Sequence, residues 1–181
     1  VDVNYKNAVQ KMSKQKKVNL RVTALCVKDE QVLLVKHKRF TYTKDFPDSY
    51  WILPGGVLEL GESVPEGIQR EVKEETGLAC EVGDLLFVKE LIYPYQPNHD
   101  NSITHHSVSL AFYCDVTGGE LITGKDPEFG DNDQVILKTD WLPISELQNY
   151  DIYPPFLPKF IQDGYKTGFK DMPVSYFGSL E

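Results

Sequence analysis

Apolar stretches separated by short polar breaks run through the middle of the chain, and their lengths suit strands. Asn19–Val27 carries β-branched and apolar residues, Lys28-Asp29-Glu30 is a polar turn, and Gln31–Phe40 opens with Val32-Leu33-Leu34-Val35, which together predict a hairpin. Thr41–Ser49 reads as loop, and Tyr50–Leu53 as an extended run delivering the chain to Pro54-Gly55-Gly56. Trp51 in that run reads as a core aromatic or as part of a base pocket, with the core the expectation. Ala79–Ile92 predicts a strand with a turn or bulge at Gly83-Asp84, followed by an aromatic and proline-rich loop from Tyr93 to Ser102. His105–Val116 alternates, with Val108, Leu110, Phe112 and Cys114 on one face and Ser107, Ser109, Ala111 and Tyr113 on the other. Gln134–Leu142 is the last expected strand. Pro143 opens a short helix through Leu147, and Tyr153–Ile161 predicts a second helix after Pro154-Pro155.

One segment has a helical period instead. Ser63 and Glu66 form a capping-box pair, Pro65 is tolerated in a first turn, and Gly77 is suited to a left-handed close, so a helix is expected over Val64–Thr76. Ile68 and Val72 make an apolar stripe on it, and Glu71, Glu74 and Glu75 fall within an arc of roughly 100° beside that stripe. Gly67, one turn before Glu71, offers no side chain and so leaves room for a bulky ligand at that end. Arg70 is spaced to bridge Glu66 and Glu74, but the neighbour of Glu71 one turn on is Glu75, a like charge. A divalent cation is the simplest neutraliser. Mg²⁺ suits such a face because it prefers oxygen, takes few protein ligands and completes its shell with water and phosphate.

Composition narrows the class. The 181 residues are 41% hydrophobic and 25% charged, values ordinary for one globular domain, and no apolar run is long enough for a membrane span. The formal charge of −8 argues against a broad nucleic-acid surface, including an RNA-decapping role, while leaving small phosphorylated ligands open through a metal. Cys26, Cys80 and Cys114 lack metal spacing and read as core thiols; His105 and His106 are adjacent in a strand and cannot easily share one ligand. Val1–Lys17 lacks the apolar stretch of a signal peptide, so a cytoplasmic location is expected, with residues 1–17 as a short helix or arm.

The run from Gly56 to Leu78 resembles the Nudix box, G-x5-E-x7-R-E-U-x-E-E-x-G-U with U a bulky aliphatic residue. Gly56, Glu62, Arg70, Glu71, Glu74, Glu75 and Gly77 hold its fixed positions, with Val72 and Leu78 in the aliphatic slots. The resemblance implies an α+β fold, an α/β/α sandwich with a mixed curved sheet, over residues 18–164, with 165–181 as a C-terminal tail. It also implies a Mg²⁺-dependent hydrolase, Mn²⁺ substituting, that cleaves the diphosphate bridge of a nucleoside diphosphate linked to another moiety. A Nudix-fold module that binds a nucleotide without turnover is the alternative, and a homodimer stays open. In this reading Glu71, Glu74 and Glu75 are metal ligands, joined by a backbone carbonyl at Gly55 or Gly56 (Gly56 the choice) and by Asp133 from the acidic loop Lys125–Asp133. Glu71 is also the general base, kept ionised near neutral pH by nearby cations. Arg70 orients the glutamates, and Glu62 ties the loop to the helix. Arg39, Tyr93 and Tyr95 are the expected substrate contacts. The family's downstream markers for ADP-ribose hydrolases and for diadenosine-polyphosphate hydrolases are both nominally met, by Pro94 and Tyr95, so they do not choose a substrate.

Overall fold

The computed structural model of the protein describes residues 17–38, 47–93, 105–125 and 134–179. The expected hairpin is formed by β1 (Asn19–Lys28) and β2 (Gln31–Lys38). Asp29 and Glu30 turn it at φ of 50° and 62°, the two-residue geometry whose twist matches that of the strands it joins. β3 (Ser49–Ile52) is antiparallel to the far end of β2, pairing at Val35–Lys38. The glycine pair, expected as loop, is instead the short strand β4 (Gly55–Val57), antiparallel to β1. Glycine is required there: Gly55 has φ of 150°, and a Cβ on it would lie 2.1 Å from the Val22 carbonyl oxygen.

β5 (Leu78–Tyr93) and β6 (His105–Gly119) form a long antiparallel pair whose register shifts between Val82 and Leu85, where the bulge was expected. Tyr93 therefore ends a strand, its backbone paired with His105, and does not begin the loop. β7 (Ile136–Pro143) lies on β2, and β8 (Ser175–Phe177) runs parallel to β5. β1 and β6 are also parallel, so the eight strands form one mixed sheet in the order β3-β2-β1-β6-β5-β8, with β4 on β1 and β7 on β2.

Strand alternation divides the core between two helical layers. Helix α1 (Val64–Thr76) packs Ile68 and Val72 against Val22, Ala24, Cys26, Leu78, Cys80 and Cys114, which places the three cysteines as buried thiols. Helix α2 (Leu157–Thr167) packs Leu157 and Ile161 on the opposite face, against Leu25, Leu34, Trp51, Phe87 and Ala111, with a 3-10 helix at Ile144–Asn149 beside it. The fold is the expected α+β sandwich. Among the described residues no helix is long and apolar enough to cross a membrane.

The C-terminal segment differs from expectation. The helix expected within Tyr153–Ile161 starts after the prolines at 154 and 155 as expected, tolerates Pro158 in its first turn, and continues beyond Ile161 to Thr167. Beyond it, Phe169 folds back so that its N–H donates to the Gly164 carbonyl at 2.9 Å, and a Cβ at Gly164 would sit 2.4 Å from the Phe169 ring. Phe177 stacks on Phe156 at 3.6 Å and meets Phe87 and Phe160 edge-on, so Phe169 and Phe177 cover the core surface while Tyr165 and Tyr176 stay exposed.

Candidate active site

The helix that carries the acidic residues is closed at both ends by its own sequence. Glu66 accepts from the Ser63 N–H at 2.8 Å and its hydroxyl at 2.5 Å, completing the capping box; Gly77 ends the helix at φ of 74° with its N–H donating to Lys73 at 3.0 Å. Because Glu66 serves the cap, Arg70 does not bridge to it as the spacing suggested. The guanidinium of Arg70 instead reaches the preceding loop, with Nε and Nη2 donating to Glu62 at 2.9 and 3.0 Å and Nη2 also to the Val57 carbonyl at 3.1 Å. Its Nη1 donates to Glu71 Oε1 at 2.8 Å and Glu74 Oε2 at 3.2 Å. Glu62 accepts from the Glu59 N–H as well, at 3.1 Å, and these bonds hold its carboxyl below the usual range. One arginine thus locks the loop to the helix and aims two glutamates.

Gly67 does not leave an opening. A Cβ there would meet Leu58 Cδ1 at 2.6 Å and Glu62 Oε2 at 3.0 Å, so the missing side chain makes room for the loop and not for a ligand. Gly56 has the role of close approach instead: a Cβ on it would lie 2.2 Å from Glu71 Oε1. The Glu71 carboxylate is pressed against glycine backbone.

Glu71 is 8% exposed, and its pKa is pushed up to about 7, first by burial and further by the neighbouring charges of Glu75 and Glu74, against the lowering bond from Arg70. The bond from Arg70 by itself does not offset that burial. Glu75 is 2% exposed and turned inward, where Oε2 accepts from the Gly55 N–H at 2.9 Å and Oε1 stands 3.7 Å from His37 Nε2. The Gly55 carbonyl accepts from Arg21 Nη2 at 3.3 Å. Segment 120–125 crosses the helix end, with Ile122 N–H on the Thr76 carbonyl and Gly124 N–H on that of Glu75, both at 2.9 Å.

The structure thus brings Glu62, Arg70, Glu71 and Glu74 into one network beside Gly56, with Glu75 anchoring Gly55 behind it. Each carboxylate on the outer side keeps one oxygen outside the Arg70 bonds: Oε2 of Glu71 and Oε1 of Glu74. Arg39, Tyr95 and Asp133 lie outside the described residues, as do the rest of the acidic loop from 126 and residues 1–16. Tyr93 is placed by its backbone at the end of β5.

A NUDIX domain profile matches residues 17–163, most of the chain. The chain belongs to the Nudix family. This Nudix chain is 39% identical over 105 residues to the ADP-ribose pyrophosphatase of Methanocaldococcus jannaschii, covering 58% of this chain and 55% of that protein. It is 38% identical over 93 residues to an 8-oxo-dGDP phosphatase of Mus musculus, covering 51% of this chain and 24% of that protein. The match therefore spans about half the length of the first relative and less of the second. A solved NUDIX hydrolase from Nitrosomonas europaea superposes with a TM-score of 0.61 at 24% identity, over 87% of this chain and 93% of that one, which establishes the shared fold.

Two residues at this Nudix site were not singled out by sequence. His37 lies in the charged run Lys36-His37-Lys38, where alternation alone would have shown that it points opposite to its neighbours and inward. Arg21 carries no motif, and its nearness to Gly55 comes from the β1–β4 pairing, which no local pattern announced.

Proposed function

We propose that the protein is a Mg²⁺-dependent pyrophosphohydrolase, with Mn²⁺ able to substitute, that cleaves the diphosphate bridge of a nucleoside diphosphate joined to another moiety. The observation that carries this reading is Glu71: a buried carboxylate against glycine backbone, raised in pKa, with one oxygen on Arg70 and the other outside any bond. A second outward oxygen, Glu74 Oε1, stands one helical turn on. Two hard oxygen donors fit a small divalent cation that takes one or two carboxylates and fills its remaining positions with water and phosphate.

Glu71 and Glu74 would hold the ion together with Glu75 and the backbone at Gly56; when bound, it supplies neutralisation of the diphosphate and a water of lowered pKa. The chain's own residues do the rest. Arg70 fixes Glu71 and Glu74 through one nitrogen, so the two carboxylates move as a unit. Glu62 holds Arg70 and thereby the loop. Glu71 would take the proton of the attacking water while Oε1 stays on Arg70, which keeps the carboxylate oriented as a base.

ADP-ribose is the first substrate to test, in view of the Methanocaldococcus jannaschii relative of that name. The panel is ADP-ribose, diadenosine polyphosphates, 8-oxo-dGDP and 8-oxo-dGTP, and NADH, each with Mg²⁺, Mn²⁺ or chelator, with products identified by chromatography. The reading expects cation-dependent release of two phosphate monoesters from at least one diphosphate-bridged compound. Tight binding of one of these compounds with no product under any cation would instead support a module that binds without turnover.

A further inference from the structure

The two arginines nearest the glycine strand are in opposite states. Arg70 has every nitrogen engaged, on Glu62, Glu71, Glu74 and the Val57 carbonyl, and has no donor left to offer a ligand. Arg21 is also partly buried, yet among the described residues its side chain makes a single hydrogen bond, Nη2 to the Gly55 carbonyl at 3.3 Å, near the long end of the range. Among the described residues it belongs to no ion pair. A guanidinium drawn partly out of water with one weak neutral partner is costly unless an anion completes it.

Its surroundings say which anion. Arg21 stands in register with Val57 of β4 on one side and Ser109 of β6 on the other, so it is held by strands on both flanks. Gly55 connects it to the acidic site: the N–H of that residue binds Glu75, and its carbonyl binds Arg21. The positive charge of Arg21 also acts on Tyr50, whose hydroxyl burial keeps protonated far above neutral pH, and the Tyr50 ring meets Tyr153 edge-on at 6.0 Å. A fork of donors beside a protonated phenol and a pair of rings matches a phosphate attached to a sugar or base.

We infer that Arg21 binds a phosphate of the substrate across Gly55 from the acidic face, and so selects for compounds with a phosphate there. This rests on the hydrolase reading above, which it deepens. The competing role is purely structural, with Arg21 propping the Gly55 carbonyl and, through Gly55, Glu75.

Full-length Arg21→Gln and Arg21→Lys, compared with wild type, separate the two. Steady-state kinetics with ADP-ribose, the Mg²⁺ activation constant, and calorimetric binding of ADP-ribose in chelator are measured for each. Arg21→Gln is expected to raise KM and weaken binding by about 10- to 100-fold, the range for a lost charge-assisted contact, with kcat within about threefold and the Mg²⁺ constant unchanged. Arg21→Lys should recover part of the loss. A fall in kcat or in Mg²⁺ affinity with KM unchanged overturns the inference in favour of the prop, and unchanged constants throughout overturn it outright. If wild type binds ADP-ribose without hydrolysing any diphosphate, and Arg21→Gln still weakens that binding, the hydrolase reading falls while the phosphate contact stands; if wild type neither binds nor hydrolyses, both fall.

Discussion

A carboxylate removed from water next to other carboxylates keeps its proton to higher pH, and Glu71 does so, with a pKa raised from 4.5 to about 7. The folded protein therefore binds this proton more tightly than the unfolded chain. The contribution to stability is complete below 4.5 and is lost as pH rises through about 7 in the absence of metal. Thermal unfolding in chelator should show the midpoint falling across that window, and Mg²⁺ should reduce the fall, because a cation favours the ionised form. Glu71→Gln should flatten the chelator profile relative to wild type; an unaltered pH profile in this variant would remove Glu71 from the account. Gly56→Ala gives a second check, since its Cβ would lie 2.2 Å from Glu71 Oε1 and must displace that carboxylate. It is expected to lower kcat by about tenfold or more with the fold kept, read by steady-state kinetics and circular dichroism. The identities of these residues were legible from fixed offsets along the chain. Their orientations were not, because offsets place Glu71, Glu74 and Glu75 on one arc but do not reveal that Glu75 turns in to Gly55 or that Glu66 leaves Arg70 for Ser63.

Helix α1 was readable to its ends because its cap, its first-turn proline and its terminal glycine are all local signals. The hairpin β1–β2 was readable for the same reason. β4 and the last turns of α2 were not, since the strand exists by pairing with β1 and the turns run past Ile161 to Thr167 without a local apolar signal that announced them. Segment 120–125 shows how an element can depend on a distant one: Gly124 and Thr139 both bind the Glu75 carbonyl, at 2.9 and 3.0 Å, and so fix the end of the helix that carries the site. A Cβ at Gly124 would lie 1.9 Å from the Glu74 carbonyl oxygen, a backbone atom that cannot step aside. Gly124→Ala should therefore destabilise the protein by about 2 kcal/mol or more in urea unfolding, with turnover falling in parallel. An undiminished midpoint would show that this crossing is not what holds the helix end.

For the molecule as a whole, the three layers were implied by the resemblance of Gly56–Leu78 to the Nudix box, whereas the contribution of the last residues was not. Aromatic residues after Thr167 give no period from which to infer partners, and only the folded chain shows Phe177 between Phe156, Phe87 and Phe160. Phe177→Ala should cost about 2–4 kcal/mol in global stability, measured by denaturant unfolding; a loss near zero would return this segment to the status of a tail. The charge of −8 and the open oxygens of Glu71 and Glu74 bear on the same question, how an acidic protein handles a phosphorylated ligand, and the central claim is that a divalent cation mediates it through Glu71. The most direct test is the rate of AMP and ribose 5-phosphate release from ADP-ribose at saturating Mg²⁺ by wild type and Glu71→Gln, with the fold of the variant verified. The account predicts cation-dependent release by wild type and a loss of at least about a hundredfold in the variant, and equal rates in the two proteins would contradict it.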